Sequence, residues 1–118
     1  MVVPPTLTLA QRRWLIAAAR SDVVVMQGAR HALNRPALYP GEQIVLDMDD
    51  AGFHLPHLEA PVREAMPQVA AVIAGSAYVA DWSRKAGAGR VDVVITGAPV
   101  SARPRPPQAC RPPVVVWT

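Results

Sequence analysis

The stretch Val69-Ala70-Ala71-Val72-Ile73-Ala74-Gly75-Ser76 decides the fold, because its short apolar run can form either a helix or a buried strand. In the helical interpretation it belongs to one long helix over residues 59–85, in which apolar side chains recur at spacings of three and four. Alanine is a good helix former and a poor strand former, so we predict this helix, kinked or divided at Pro67. As a strand, the stretch would be short and rich in alanine, and this alternative stays open.

The same pattern, an apolar run that ends in glycine and a small residue, occurs twice more, at residues 24–29 and 94–98. Glycine at the end of a strand allows a sharp turn or the close approach of a ligand. None of the three stretches carries the longer glycine pattern of a phosphate-binding loop. We therefore predict buried strands at residues 23–26 and 90–96, without assigning phosphate binding to them.

One helix and one further strand complete the predicted elements. Thr8 and Gln11 fit a capping box before residues 9–20, which contain neither glycine nor proline, so the first helix is placed there. Residues 43–49 alternate between apolar and polar side chains, as in a strand with one buried face. Because the turn signal Tyr39-Pro40-Gly41-Glu42 precedes them, this strand is most simply the second arm of a hairpin.

These elements predict a single α+β domain over residues 1–100, in which two helices cover one face of a small mixed β-sheet in the order α-β-β-α-β. Residues 101–118 form a tail rich in proline and arginine, a composition typical of extended or disordered chain. The tail ends in the apolar segment Val114-Val115-Val116-Trp117. We expect this segment to dock as an extra edge strand on its own sheet or on that of a neighbour.

The formal net charge of +3 comes from the tail. All nine acidic residues and nine of the twelve basic residues lie at or before Asp92, so that part of the chain is formally neutral. The excess consists of Arg103, Arg105 and Arg111, which could contact a nucleic acid or an acidic partner. A nucleic-acid adaptor is therefore one alternative function, although such domains usually cluster basic residues over one folded face.

The cysteine content and the hydropathy of the chain indicate its cellular compartment. The single Cys110 excludes an internal disulfide, and no apolar run approaches the roughly 20 residues that a membrane helix needs. The N-terminus lacks the pattern of a signal peptide, so we expect a cytoplasmic protein without membrane contact. Because aromatic residues are few, the core must be built mainly from Val, Ala, Leu and Ile, and alanine burial stabilises less than leucine burial. We therefore also expect a homo-oligomer, with a dimer favoured, that buries additional apolar area.

The densest group of potential metal ligands lies in and after the strand at residues 43–49. Asp47 and Asp49 share one face of that strand, about 7 Å apart along the backbone. Carboxylates suit hard divalent ions, and nearby histidines suit transition metals. The candidate metal ligands are therefore Asp47, Asp49, Asp50, His54 and His57. We expect no organic cofactor, and a divalent metal ion is the ligand these residues would suit.

Residues 44–50, Ile-Val-Leu-Asp-Met-Asp-Asp, resemble the first motif of the haloacid-dehalogenase-like phosphatases, an apolar strand that ends in D-x-D. The resemblance implies Asp47 as nucleophile and Asp49 as general acid/base, with Thr96 at the second motif. It departs from the family at Asp50-Ala51, where the family has Gly-Thr. The order of elements also resembles the core of restriction-endonuclease-like nucleases, whose catalytic lysine has no counterpart beside Asp47. A divalent-metal-dependent phosphoesterase or nuclease-like enzyme is therefore the main alternative function.

The favoured function is a small non-catalytic binding or interaction module. None of the motifs forms a complete catalytic constellation, and the apolar C-terminal segment has the character of a docking element. We therefore predict a chain that associates with itself through a sheet edge or through that segment.

Overall fold

Four β-strands and three α-helices make up the computed structural model, which describes residues 1–95. The order of elements roughly matches the prediction, and the α+β class is confirmed. Across these residues, every helix is too short or too polar to cross a lipid bilayer. The elements are α1 (Leu9–Ala19), β1 (Val24–Gln27), β2 (Ile44–Met48), α2 (Pro56–Ala65), β3 (Ala71–Ala74), α3 (Ala77–Lys85) and β4 (Val91–Val93).

The first helix begins at the predicted capping box. The Gln11 backbone N–H donates to the Thr8 hydroxyl oxygen at 3.4 Å, and the Gln11 side-chain oxygen accepts from the Thr8 backbone N–H at 2.9 Å. The side chain of Arg12, one helical turn after Thr8, is buried. Its guanidinium donates to three neutral acceptors, the carbonyl oxygens of Leu7 and Pro5 and the amide oxygen of Asn34. These bonds fasten α1 to the N-terminal segment and to the loop after β1.

The strands within residues 1–95 form one sheet in the order β1-β2-β3-β4, and all its pairs are parallel, whereas a mixed sheet was predicted. The predicted hairpin is wrong in its pairing, because β2 runs parallel to β1, with Leu46 beside Met26. Parallel pairing needs a connection of about a dozen residues or more, and residues 28–43 supply it. The turn at Tyr39 to Glu42 is present, with Gly41 at φ +87°, but it lies inside this connection.

The stretch at residues 69–76 contains strand β3, Ala71–Ala74, followed by a turn. The strand interpretation of this stretch is therefore correct, and the helix interpretation is wrong. Pro67 lies in a 3₁₀ turn, Met66–Gln68, that follows α2, and the predicted long helix becomes α2, β3 and α3. Strand β3 pairs with β2 on one side and β4 on the other, and Val72 and Ala74 are fully buried. Hydrogen bonding on both sides and this burial outweigh a helix preference that amounts to less than about 1 kcal/mol per residue.

One face of the sheet is buried and the other is open. On β2, Ile44, Leu46 and Met48 are buried, whereas Val45 and Asp47 on the opposite face are half-buried. Each connection steps to the next strand in the same direction, so right-handed crossovers place all the connections on one face. The buried side chains of α2 and α3 belong to the same core cluster as those of the strands. The helices therefore cover one face, as predicted, and leave the other without a partner among residues 1–95.

Candidate functional site

A pocket of about 300 Å³ lies at the carboxyl ends of β1 and β2. These ends meet because the strands are parallel and Gln27 is in register with Asp47. The Gly28 N–H donates to the Asp47 carbonyl oxygen at 2.8 Å, and its φ of +55° turns the chain away from the sheet. Ligands of α/β proteins commonly bind outside the carboxyl ends of parallel strands. The pocket is lined by Gln27, Gly28, Ala29, Arg30, Asp47, Met48, Asp49, Asp50, Gly52 and Val62.

Three of the five predicted metal ligands line this pocket, and they differ in their surroundings. Asp47 is half-buried in β2, while Asp49 and Asp50 are exposed beyond its end. Burial raises the pKa of Asp47 above the ordinary aspartate range, and the negative charge of Asp49 raises it further. The pair at Asp47 and Asp49 therefore favours protons or other positive charge at this edge of the sheet.

An arginine that was not predicted as a site residue completes the pocket. Arg30, on the loop after β1, forms an ion pair with Asp50 across the pocket, with both side chains more than half exposed. Gly52 gives room for this arginine, since a Cβ there would lie 3.3 Å from the Arg30 Nε. No local motif marks Arg30, because 19 residues of chain separate Arg30 from Asp50 and only the parallel pairing of β1 with β2 brings them together.

The two histidines do not line the pocket. His54 Nε2 lies 2.7 Å from the Tyr78 hydroxyl oxygen, and the two rings are stacked with centroids 5.7 Å apart. Its neighbour Phe53 is buried and stacks on Trp82 of α3 at 4.0 Å. This aromatic cluster joins the turn before α2 to α3. His57 is exposed in the first turn of α2.

The metal prediction is left untested. Within residues 1–95, no three side chains of the His, Cys, Asp and Glu types are grouped so that they could hold a metal ion. Asp47, Asp49 and Asp50 are brought to one pocket, but His54 is engaged with Tyr78 instead. A divalent ion at the carboxylates therefore stays a prediction, and so does the enzymatic alternative that depends on it.

The open face of the sheet is the second candidate site. Its central row consists of Val25, Val45 and Ala71, which are in register across three strands, and Ile73 follows in the next row. Val25 is 63% exposed, while Val45, Ala71 and Ile73 are half-buried. Parallel sheets almost always have both faces covered, because their crossover connections place helices on the faces. Ile73 shares its row with Gln27, Asp47 and Asp92, so the open face carries an apolar row beside a largely polar one. The apolar row has the character of a contact surface.

The predicted interaction residues of the tail lie outside the described residues, so the structure does not place them. They are Arg103, Arg105, Arg111 and the segment Val114, Val115, Val116 and Trp117. The predicted C-terminal edge strand is outside as well. Within residues 1–95, β1 and β4 are the edge strands, and each has one side without a strand partner.

In comparisons with protein-family models, curated proteins and solved structures, nothing matches the chain. The candidate sites are therefore argued from their own geometry and chemistry.

Proposed function

We propose that the chain is a non-catalytic interaction module that associates with a second copy of itself through the open face of its sheet. The observation that carries this proposal is the exposure of Val25 at the edge-strand end of an apolar row that continues through Val45 and Ala71 on a parallel sheet. Burying such a row gains about 25 cal/mol for each Å² of apolar surface removed from water. The single cysteine is consistent with a reducing, cytoplasmic setting for this association.

The test is the mass of the full chain in solution, measured by sedimentation across a range of concentrations. We expect the wild-type chain to reach twice the mass of one chain, and Val25→Asp to shift this equilibrium toward single chains. Because Val25 is largely exposed, the substitution should leave folding intact, which circular dichroism checks.

A matched control adds the same charge elsewhere. Leu55 is 48% exposed and occupies the N-cap of α2, where aspartate is favoured, so Leu55→Asp should fold and self-associate like the wild type. A wild-type chain that keeps the mass of a single chain at every concentration would reject the proposed function.

A further inference from the structure

The identity of the group that covers the open face can be inferred, provided that the chain self-associates as proposed above. We propose that residues 114–117 of a second copy cover the face, and that two copies exchange their C-terminal segments. The face would then receive a strongly apolar segment of known sequence, Val-Val-Val-Trp, over Val25, Val45 and Ile73.

The size of the face argues against direct pairing of two sheets. Four strands spaced about 4.8 Å apart and three to five residues long give a face of roughly 250 Å². Two such faces pressed together would bury about 500 Å² in total, whereas stable complexes bury about 1,200 Å² or more. Exchanged tails add contact area on both copies, because each copy contributes one face and one tail. The area that a stable dimer needs therefore favours the tail as the occupant.

Charge complementarity favours the same occupant. Asp47 lies on the open face, and Asp49 lies just beyond it at the carboxyl end of β2. The ion pairs within residues 1–95 involve Asp50, Glu59, Asp81 and Asp92, and thus neither of these two carboxylates. The folded part is formally neutral, while the tail carries all of the excess positive charge. Arginines upstream of the apolar segment would therefore meet carboxylates beside the apolar row.

The length of the tail is sufficient for exchange between two copies. Residues 96–113 separate the last described residue from the apolar segment, and they span roughly 56 Å as an extended proline-rich chain. The distance from β4 to β1 across the same sheet is only about 14 Å. The intervening chain is therefore long enough to reach either the face of its own sheet or that of a second copy, and the cross-linking experiment below distinguishes the two.

The experiment uses full-length chains in which Cys110→Ser removes the native thiol. One preparation carries Val25→Cys and a second carries Val115→Cys, and the two are mixed under oxidising conditions. We expect a disulfide-linked species that contains one chain of each kind. Its yield should exceed that of a Leu55→Cys control by roughly tenfold or more, because docked groups meet at about millimolar effective concentration.

A chain that carries both Val25→Cys and Val115→Cys tests the alternative of folding back. Cross-linking within single chains, at a yield that does not depend on concentration, would overturn the exchange and make the chain's own tail the occupant. If wild-type chains self-associate but neither arrangement cross-links, the tail is not the occupant, although the proposed function survives. If they do not self-associate at all, the proposed function itself fails.

The contribution of charge has its own readout in the same assay. Replacing Arg103, Arg105 and Arg111 together with serine should lower the yield of the mixed species at low salt. Added salt should lower the yield of the chains that keep these arginines, and should have little further effect on the triple variant. An unchanged yield in the triple variant would contradict the pairing of the tail with Asp47 and Asp49.

Discussion

Gly75 lies so close to Asp49 that a Cβ atom built on Gly75 would stand 2.9 Å from the Asp49 carbonyl oxygen and 3.1 Å from its Cα. The contact is with backbone, which cannot swing aside as the end of a flexible side chain can. The Gly75 N–H also donates to the Met48 carbonyl oxygen at 2.9 Å. The glycine at the end of β3 thus allows the loop after β2 to pack directly against it.

Gly75→Ala is therefore expected to lower the free energy of unfolding by about 1–3 kcal/mol, the usual cost of forcing an extra methyl group into a packed site. Urea denaturation measures the change. Gly89→Ala is the matched control, since no atom lies within 4 Å of a Cβ at that position, and we expect little change there. Equal denaturation midpoints for the two variants would contradict the close approach.

Arg20 closes α1 in the left-handed conformation, with φ +48° and ψ +46°. A side chain with a Cβ is strained there and glycine is not, so Arg20→Gly is expected to stabilise the chain by about 0.5–1 kcal/mol. Ala19→Gly, one position earlier and inside the helix, should destabilise it by a similar amount. The thermal unfolding midpoints of the two variants test this prediction. Midpoints that both rise or both fall relative to the wild type would argue against a left-handed conformation at Arg20.

The raised pKa of Asp47 makes stability depend on pH. The folded chain holds the Asp47 proton more tightly than the unfolded chain does, because burial and then Asp49 oppose ionisation. The contribution of this group to the free energy of unfolding therefore falls as the pH rises from the ordinary aspartate pKa through the raised one, and stays low above it. The asparagine of Asp47→Asn does not ionise. The free energy of unfolding of this variant, relative to that of the wild type, should therefore rise with pH between the ordinary and the raised pKa and then level off.

Urea denaturation at a series of pH values from acid to neutral tests this prediction. Asp49→Asn serves as the comparison. It removes only the Asp49 charge, the smaller cause of the raised Asp47 pKa, and should therefore narrow the pH range over which stability changes without abolishing it. A difference between Asp47→Asn and the wild type that stays constant across the series would show that Asp47 does not titrate in the predicted way.

Divalent ions separate the interaction module from the metal-dependent alternative. A ligand raises the thermal unfolding midpoint only when it binds the folded state. If the chain is an interaction module without a metal site, we expect Mg²⁺, Mn²⁺, Zn²⁺ and Ca²⁺ to leave that midpoint unchanged. A rise with any of these ions that disappears in the double variant Asp47→Asn, Asp49→Asn would favour the enzymatic alternative instead.

Local sequence signals were sufficient for several elements. The capping box located the start of α1, and the runs at residues 23–26, 43–49 and 90–96 located three strands, which the structure places at Val24–Gln27, Ile44–Met48 and Val91–Val93. Asp47, Asp49 and Asp50, which the sequence analysis singled out as metal ligands, line one pocket, while the metal prediction itself stays untested. Arg30 and the contact of His54 with Tyr78 were missed, because each joins parts of the chain that are far apart in sequence.

The sequence by itself determined where α1 begins and approximately where β1 and β2 lie, because capping side chains, prolines and glycines act on their immediate neighbours. Only the tertiary structure decided that residues 71–74 form a strand. Their alanines favour a helix locally, but a position between β2 and β4 supplies hydrogen bonds on both sides and buries Val72 completely. The same parallel pairing assembled the pocket and left one face of the sheet open, since pairing direction depends on how distant segments meet.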